Sequence, residues 1–152
     1  MIKRILVDGD ACPVLVQIIK LTEEFKLPCI VFASFDHYSS RPLPKHVRYQ
    51  YLSPGPDVVD FAIFKASSAE DLVVTQDYGL ASLLLAKCYV MHQTGQLYSP
   101  ENIEKLLNQR HHHQVLRRLP KGKRIYTKVN YNLDQFEMKL RQFLRQEQIK
   151  VE

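Results

Sequence analysis

A run of strand-forming residues near the start of the chain stops abruptly at two carboxylates. Ile5-Leu6-Val7 is followed by Asp8, Gly9 and Asp10, and Pro13 then stands where a helix would begin. Gly9 gives the backbone freedom to turn, and proline is favoured in the first turn of a helix. The stretch therefore predicts a buried strand, an acidic turn and a helix. The turn falls at the carboxyl end of a strand, where open α/β sheets bind ligands.

Short apolar runs alternate with helical patterns along the rest of the chain. Further strands are predicted at 29–33, 47–52, 71–75 and 89–91. Helices are predicted at 13–26, 57–64, 79–86, 100–109 and 132–148. Strands that alternate with helices imply a parallel sheet covered on both faces. The expected fold is therefore α/β, a three-layer Rossmann-like domain with a mostly parallel central sheet. We expect residues 1–152 to form this single domain, with a basic loop at 110–130 and a packing helix at 132–148.

Length and composition narrow the class of protein. The chain has 152 residues, of which 45% are hydrophobic, enough for one domain with its own core. Its three cysteines match no zinc or disulfide spacing, and no apolar run approaches the roughly 20 residues that span a membrane. We expect a cytoplasmic protein with no membrane partner, and the sequence sets no oligomeric state.

The charge is divided unevenly along the chain. Residues 1–100 carry 9 Lys and Arg against 10 Asp and Glu, whereas residues 101–152 carry 12 against 6. Residues 110–128 hold seven of these cations and no acid. Such a segment suits the phosphates of a nucleic acid, although a solvated basic surface would have the same composition. The candidate phosphate contacts are Arg117, Arg118, Lys121, Lys123 and Arg124.

Five aspartates lie near strand ends or helix starts in the predicted fold. They are Asp8, Asp10, Asp57, Asp60 and Asp77. Asp8 and Asp77 would be neighbours at one edge of the sheet, because the first strand is central in a doubly wound sheet. All but Asp8 could instead be helix caps or dipole partners. Grouped carboxylate oxygens suit Mg²⁺ or Mn²⁺, which can activate water against a phosphodiester.

Several ordered motifs resemble one family of bacterial proteins. They are 7–13 (VDGDACP), 55–60 (GPDVVD), 73–81 (VVTQDYGLA), Arg117-Arg118 and Tyr126-Thr127. Together they resemble the YaiI/YqxD family, whose function is uncharacterised and which is related to PIN-like and NYN-type metal-dependent ribonucleases. The resemblance implies a PIN-like fold with an acidic pocket. It also implies that Asp8, Asp60 and Asp77 are catalytic metal ligands, with Asp10 and Asp57 close by. Gly9 stands where alanine is commoner in the family.

Three functions are therefore compatible with the sequence. The preferred one is a Mg²⁺- or Mn²⁺-dependent nuclease acting on RNA or another nucleic acid. The second is a nucleic-acid-binding protein that keeps the fold without catalysis. The third is a haloacid-dehalogenase-like phosphatase with Asp8 as nucleophile, since Asp8-Gly9-Asp10 fits its Asp-x-Asp opening. Against the third, Ala11 replaces the usual small hydroxyl residue and no late Asp-Asp pair occurs.

Overall fold

A computed structural model describes residues 1–10, 12–117 and 132–149. The strands are β1 (Arg4–Asp8), β2 (Cys29–Ser34), β3 (Val47–Leu52), β4 (Asp71–Val74) and β5 (Tyr89–Met91). The helices are α1 (Leu15–Glu24), α2 (Val58–Ala66), α3 (Tyr78–Leu84), α4 (Pro100–Arg117) and α5 (Leu133–Ile149). A short 3-10 helix, Phe35–His37, follows β2 directly. The predicted order of strands and helices is thus confirmed for the described residues.

The described strands form one parallel sheet in the order β3-β2-β1-β4-β5. The chain builds the sheet outward from β1 to β3, then crosses to the other side of β1 for β4 and β5. β1 and β4 therefore flank the point at which the strand order reverses. In open α/β sheets, ligands bind outside the carboxyl ends of the strands at this point.

Helices cover both faces of the sheet, which makes the three layers of a Rossmann-like fold. Alternate residues of each buried strand point to opposite faces. Val7 points to the side where α1 and α5 pack, in a core that includes Ile18 and Phe136. Leu6 points to the side covered by α2, α3 and α4, where it shares a core with Ile63. With both faces covered, strands such as β2 are apolar along their length, as the sequence indicated.

The end of α4 differs from the prediction. The helix continues to Arg117, whereas the sequence predicted its end at Gln109 and a basic loop from 110 to 130. The prediction was wrong over 110–117 because the polar run after Gln109 lacks an apolar period. The remainder of the predicted loop, 118–130, lies outside the described residues.

None of the helices among the described residues is both long enough and apolar enough to cross a membrane.

Candidate acidic active site

The carboxyl ends of β1 and β4 open into a small acidic cleft of about 220 Å³. Its walls contain all five of the predicted aspartates, together with Gly55, Val59 and Gln76. Three of the aspartates end or follow strands and two belong to the start of α2, so residues far apart in sequence meet at one place. The described structure therefore brings these acidic turns together at one cleft, as the sequence predicted.

Asp8 is held at the end of β1 by a hydrogen bond from the neighbouring strand. The hydroxyl of Thr75 donates to Oδ2 of Asp8 over 2.9 Å, and Thr75 is fully buried. The same hydroxyl accepts from the backbone N–H of Asp77 at 3.0 Å. Burial raises the pKa of Asp8, the Thr75 bond opposes that rise, and repulsion from Asp10 and Asp77 adds to it. Thr75 thus fixes both the carboxylate of Asp8 and the turn that carries Asp77.

Asp77 has a structural role as well as a place in the cleft. Its Oδ1 accepts from the backbone N–H of Leu80 at 3.1 Å, so Asp77 caps α3 as the capping interpretation predicted. Asp57 occupies the N-cap position of α2 but makes no side-chain cap bond. Its φ of 63° is left-handed, a conformation that aspartate adopts more readily than most residues. The side chain of Asp77 therefore caps a helix, whereas the side chain of Asp57 does not.

Asp10 contacts the strand next to β1. The sequence suggested that it caps α1, yet α1 begins after Val14 without a side-chain cap. Asp10 Oδ1 instead accepts from the backbone N–H of Ser34 at 2.8 Å, which satisfies a donor at the end of β2. Nδ1 of His37 lies 3.1 Å from the same oxygen. The acidic turn is thereby tied to the segment that follows β2.

Asp60 and Asp77 are forced together across the cleft. Burial is the largest cause that raises the pKa of Asp60 to about 7, followed by the charge of Asp77 and a hydrogen bond between the two carboxyl groups. The charges of Asp8 and Asp57 raise it further. Two carboxylates can share such a bond only while one holds a proton. Folding therefore brings together more negative charge than the cleft tolerates near neutral pH.

Gly9 lies close against β2. The sequence suggested conformational freedom, but the glycines with positive φ among the described residues are Gly55 and Gly95. A Cβ built on Gly9 would lie 2.5 Å from Cγ1 of Val31 and 3.0 Å from the carbonyl oxygen of Phe32. Glycine thus lets the acidic turn pass close against β2, to which its N–H donates over 2.8 Å.

The donor set of the cleft fits a hard divalent cation in its chemistry. Mg²⁺ binds through one or two carboxylates and keeps several waters, and the cleft offers only oxygen ligands from its acidic side chains. Among residues 1–10, 12–117 and 132–149, however, no three His, Cys, Asp or Glu side chains form a group that could hold a metal ion as they stand. Because the pKa of Asp60 is raised to about 7, a bound ion would compete with a proton on that carboxyl group.

The predicted nucleic-acid contacts are largely beyond the described part of the chain. Arg117 is the last residue of α4. Arg118, Lys121, Lys123 and Arg124 lie outside the described residues. Contact between this basic segment and the cleft stays a prediction.

Two residues beside the cleft were missed as site residues in the sequence. Gln76 lines the cleft, and its position between Thr75 and Asp77 at a strand end was a sufficient signal. His37 contacts Asp10 from a segment that the sequence indicated only as a loop. Its approach depends on how the chain leaves β2, which hydrophobic periodicity does not give.

Comparison with known proteins decides the family. A family model described as "Uncharacterized BCR, YaiI/YqxD family" matches residues 6–146. The chain belongs to the YaiI/YqxD family. The match includes the end of β1, all five cleft aspartates and most of α5, so it covers nearly all of the fold described above.

Curated relatives carry the same family label. The UPF0178 protein SH2212 of Staphylococcus haemolyticus is 48% identical over 116 residues, which are 76% of this chain and 78% of the relative. The UPF0178 protein SERP0336 of Staphylococcus epidermidis is 45% identical over 75% of this chain and 77% of its own. A UPF0178 protein of Staphylococcus aureus strain Newman is 46% identical, with 75% and 76% covered. No solved structure matches the chain significantly.

Proposed function

We propose that this YaiI/YqxD protein is a Mg²⁺- or Mn²⁺-dependent nuclease that acts on RNA in the cytoplasm. The observation that supports this most is that five aspartates line one cleft at the carboxyl ends of β1 and β4. A purely structural cleft gains nothing from five converging carboxyl groups, because their mutual repulsion opposes folding. A divalent cation would relieve that repulsion, and strongly perturbed carboxyl groups in a cleft are typical of functional sites.

In this proposal Asp8, Asp60 and Asp77 hold the cation, with Asp10 and Asp57 beside them. A divalent cation in such a place supplies Lewis-acid chemistry, polarising a phosphodiester and making water a stronger nucleophile. Thr75 keeps Oδ2 of Asp8 in a fixed orientation. Asp60, whose pKa is raised to about 7, would have to be deprotonated to act as a ligand.

The remaining charge has to be offset by the rest of the protein. RNA brings further negative charge towards a cleft that already carries five aspartates. Residues 110–128 contain seven Lys and Arg residues and no Asp or Glu, so they can supply positive charge. We propose that Arg117, Arg118, Lys121, Lys123 and Arg124 contact RNA phosphates in a sequence-independent way.

A cleavage assay tests the proposal and separates the three candidate functions. An unstructured, end-labelled RNA and a small phosphomonoester are each incubated with the protein and Mn²⁺. We expect the wild type to cleave the RNA. Asp8→Asn and Asp60→Asn should each reduce the rate of cleavage at least a hundredfold, because each would remove a major part of the stabilisation of the transition state. Asp134→Asn is the matched control, because it makes the same substitution at an exposed position in the first turn of α5.

Other outcomes identify the other functions. Turnover of the phosphomonoester with an aspartyl-phosphate at Asp8 would establish the phosphatase. RNA binding without turnover of either substrate would establish a binding protein, and the nuclease proposal would then be wrong.

A further inference from the structure

We propose that a row of aromatic side chains beside the acidic cleft binds the unpaired bases of a single-stranded nucleic acid by stacking. This inference rests on the proposed function, since it names the substrate class of the same site. The row, called here the aromatic ladder, consists of Phe35, Tyr38, Tyr49 and Tyr51. It occupies the β2–β3 side of the cleft.

The four rings form a stack with Tyr51 at its centre. The ring centroids of Phe35 and Tyr49 lie 5.7 and 5.2 Å from that of Tyr51, with interplanar angles of 21° and 14°. The ring of Tyr38 lies 5.1 Å from Tyr51 at a tilt of 52°. Offset stacking at these separations holds rings in a defined orientation. The ladder therefore presents ordered faces to solvent.

Core packing accounts for only part of the ladder. Tyr49 packs against the core on the α1 side of the sheet. Phe35 and Tyr38 remain 56% and 64% exposed. The backbone N–H of Ser39 donates to the hydroxyl of Tyr51 over 3.3 Å, which holds the loop around the stack without covering it. Two large rings are thus fixed in place and left open to a ligand.

The ladder lies next to the cleft along the same edge of the sheet. Phe35 begins the 3-10 helix whose last residue, His37, reaches Asp10 in the cleft. Tyr51 pairs with Ala33 near the end of β2, and β2 lies between β1 and β3. Tyr49 and Tyr51 point to the α1 side of the sheet, whereas Asp8, like Leu6, points to the α2 side. The ladder therefore meets the cleft at the strand ends, where the segment of Phe35 and Tyr38 contacts Asp10 through His37, and a single strand stacked on these two rings can place a phosphate at the cleft.

One cation of the segment between β2 and β3, Arg41, lies close to the ladder and suits a polyanion. Arg41 is close enough to the ladder that its charge lowers the pKa of Tyr49 against the rise that burial causes. Base–aromatic stacking with nearby cations is the usual way to bind single strands without sequence preference. A duplex keeps its base faces covered, so the ligand class is single-stranded.

Binding measurements on the intact protein test the ladder. A labelled oligouridine of about twelve nucleotides, within the range that such surfaces cover, is titrated in EDTA so that metal-dependent cleavage does not occur. We expect the Phe35→Ala/Tyr38→Ala double variant to raise the Kd at least tenfold, the effect of losing one stacked base. The matched control is Phe61→Ala, which removes a ring that is 69% exposed on the opposite side of the cleft. It should leave the Kd within twofold.

A second pair of variants separates stacking from folding. Tyr38→Phe keeps the ring and should keep the affinity, whereas Tyr38→Leu keeps an apolar side chain without a ring and should lose it. An unchanged Kd in the double variant would overturn the proposal. Equal losses in the double variant and Phe61→Ala, duplex binding as tight as single-strand binding, or no single-strand binding by the wild type would each do the same.

Failure of the ladder can be told apart from failure of the nuclease. Cleavage of RNA by the wild type with Mn²⁺, together with an unchanged Kd in the double variant, would leave the nuclease and remove the ladder. A tenfold loss of binding in the double variant, without any cleavage by the wild type, would leave the ladder and remove the nuclease.

Discussion

The acidic cleft has aromatic side chains on both sides, but the two sides differ in charge. On the β2–β3 side, the aromatic ladder is accompanied by the cation Arg41. On the α2–α3 side, an apolar groove of about 540 Å³ contains Phe61, Phe64, Leu80 and Leu83, and its acids Asp57, Asp60 and Asp77 are shared with the cleft. Apolar surface alone therefore does not distinguish a site for a nucleic acid. The distinction lies in the charge that accompanies the rings.

This difference has a source in the topology. β3 is an edge strand of the sheet, so the ladder side has room for an exposed loop with cations. The groove lies between α2 and α3, and its acids stand at the N-terminal ends of these helices, where the positive end of the helix dipole favours them. We expect phosphates to follow the ladder side and to avoid the groove.

The largest expected effect is stabilisation of the protein by Mn²⁺, which would bind the aspartates shared by the two sides. At a Mn²⁺ concentration a hundred times its Kd, binding should add about 2.7 kcal/mol of stability, or about 5–10 °C in Tm for a domain of this size. Asp8→Asn should remove the response in a thermal melt, and Asp134→Asn should retain it. An equal Mn²⁺ response in Asp8→Asn would show that the cation binds elsewhere.

The next effect is a pH dependence that arises on the groove side of the cleft. The pKa of Asp60 is raised from 3.8 to about 7 in the folded state, so the folded protein holds a proton that the unfolded chain releases. The stability that this proton provides is present below pH 4 and is lost as the pH rises through 7. A pKa shift of this size corresponds to a change of about 4 kcal/mol in the free energy of unfolding. Because Asp60 is partly exposed, we expect a change of about 2 kcal/mol or less.

Urea unfolding in EDTA at pH 5 and pH 8 measures this dependence. Asp60→Asn should reduce the difference between the two pH values, because asparagine does not titrate. If the difference is the same in the wild type and the variant, Asp60 is not the group that titrates.

The third effect concerns the basic segment after α4. Each phosphate neutralised on a single strand adds roughly −0.7 to the slope of log affinity against log salt. Replacing both Arg117 and Arg118 with alanine should flatten that slope by about one or more if both contact phosphate. A folded double variant with an unaltered slope would indicate a segment that does not touch the nucleic acid.

The smallest expected effect is a change in the salt dependence of binding when one cation is removed from either side of the cleft. Arg41→Ala on the ladder side should flatten the salt slope by roughly 0.7, the contribution of one phosphate contact. Lys65→Ala is the control, because Lys65 is an exposed cation in the last turn of α2 on the groove side. Equal slopes in the two variants would remove the distinction between the two sides.

The sequence predicted which aspartates meet because the ends of strands and the starts of helices are visible in local sequence patterns. Asp8 and Asp77 each follow a run of strand formers, and their meeting required only that β1 and β4 be neighbours. Asp60 followed from the start of an apolar helix. The three-layer fold followed in the same way, from the alternation of strands and helices.

Other features depended on contacts that no local pattern encodes. The Thr75–Asp8 bond depends on the register of β4 against β1, and His37 reaches Asp10 only because of the path taken after β2. Gly9 was interpreted as a flexible turn residue, whereas in the structure it packs closely against Val31 and Phe32 of β2. The role of a glycine in close packing is visible only once its neighbours are known.

The central claim is that the five aspartates form a divalent-metal site. The most direct measurement is anomalous diffraction from a crystal of the protein soaked in Mn²⁺. The account predicts an anomalous peak in the cleft, within coordination distance of carboxylate oxygens of Asp8, Asp60 and Asp77. A fully soaked crystal with no peak among these aspartates, or with its only peak at another place, would contradict it.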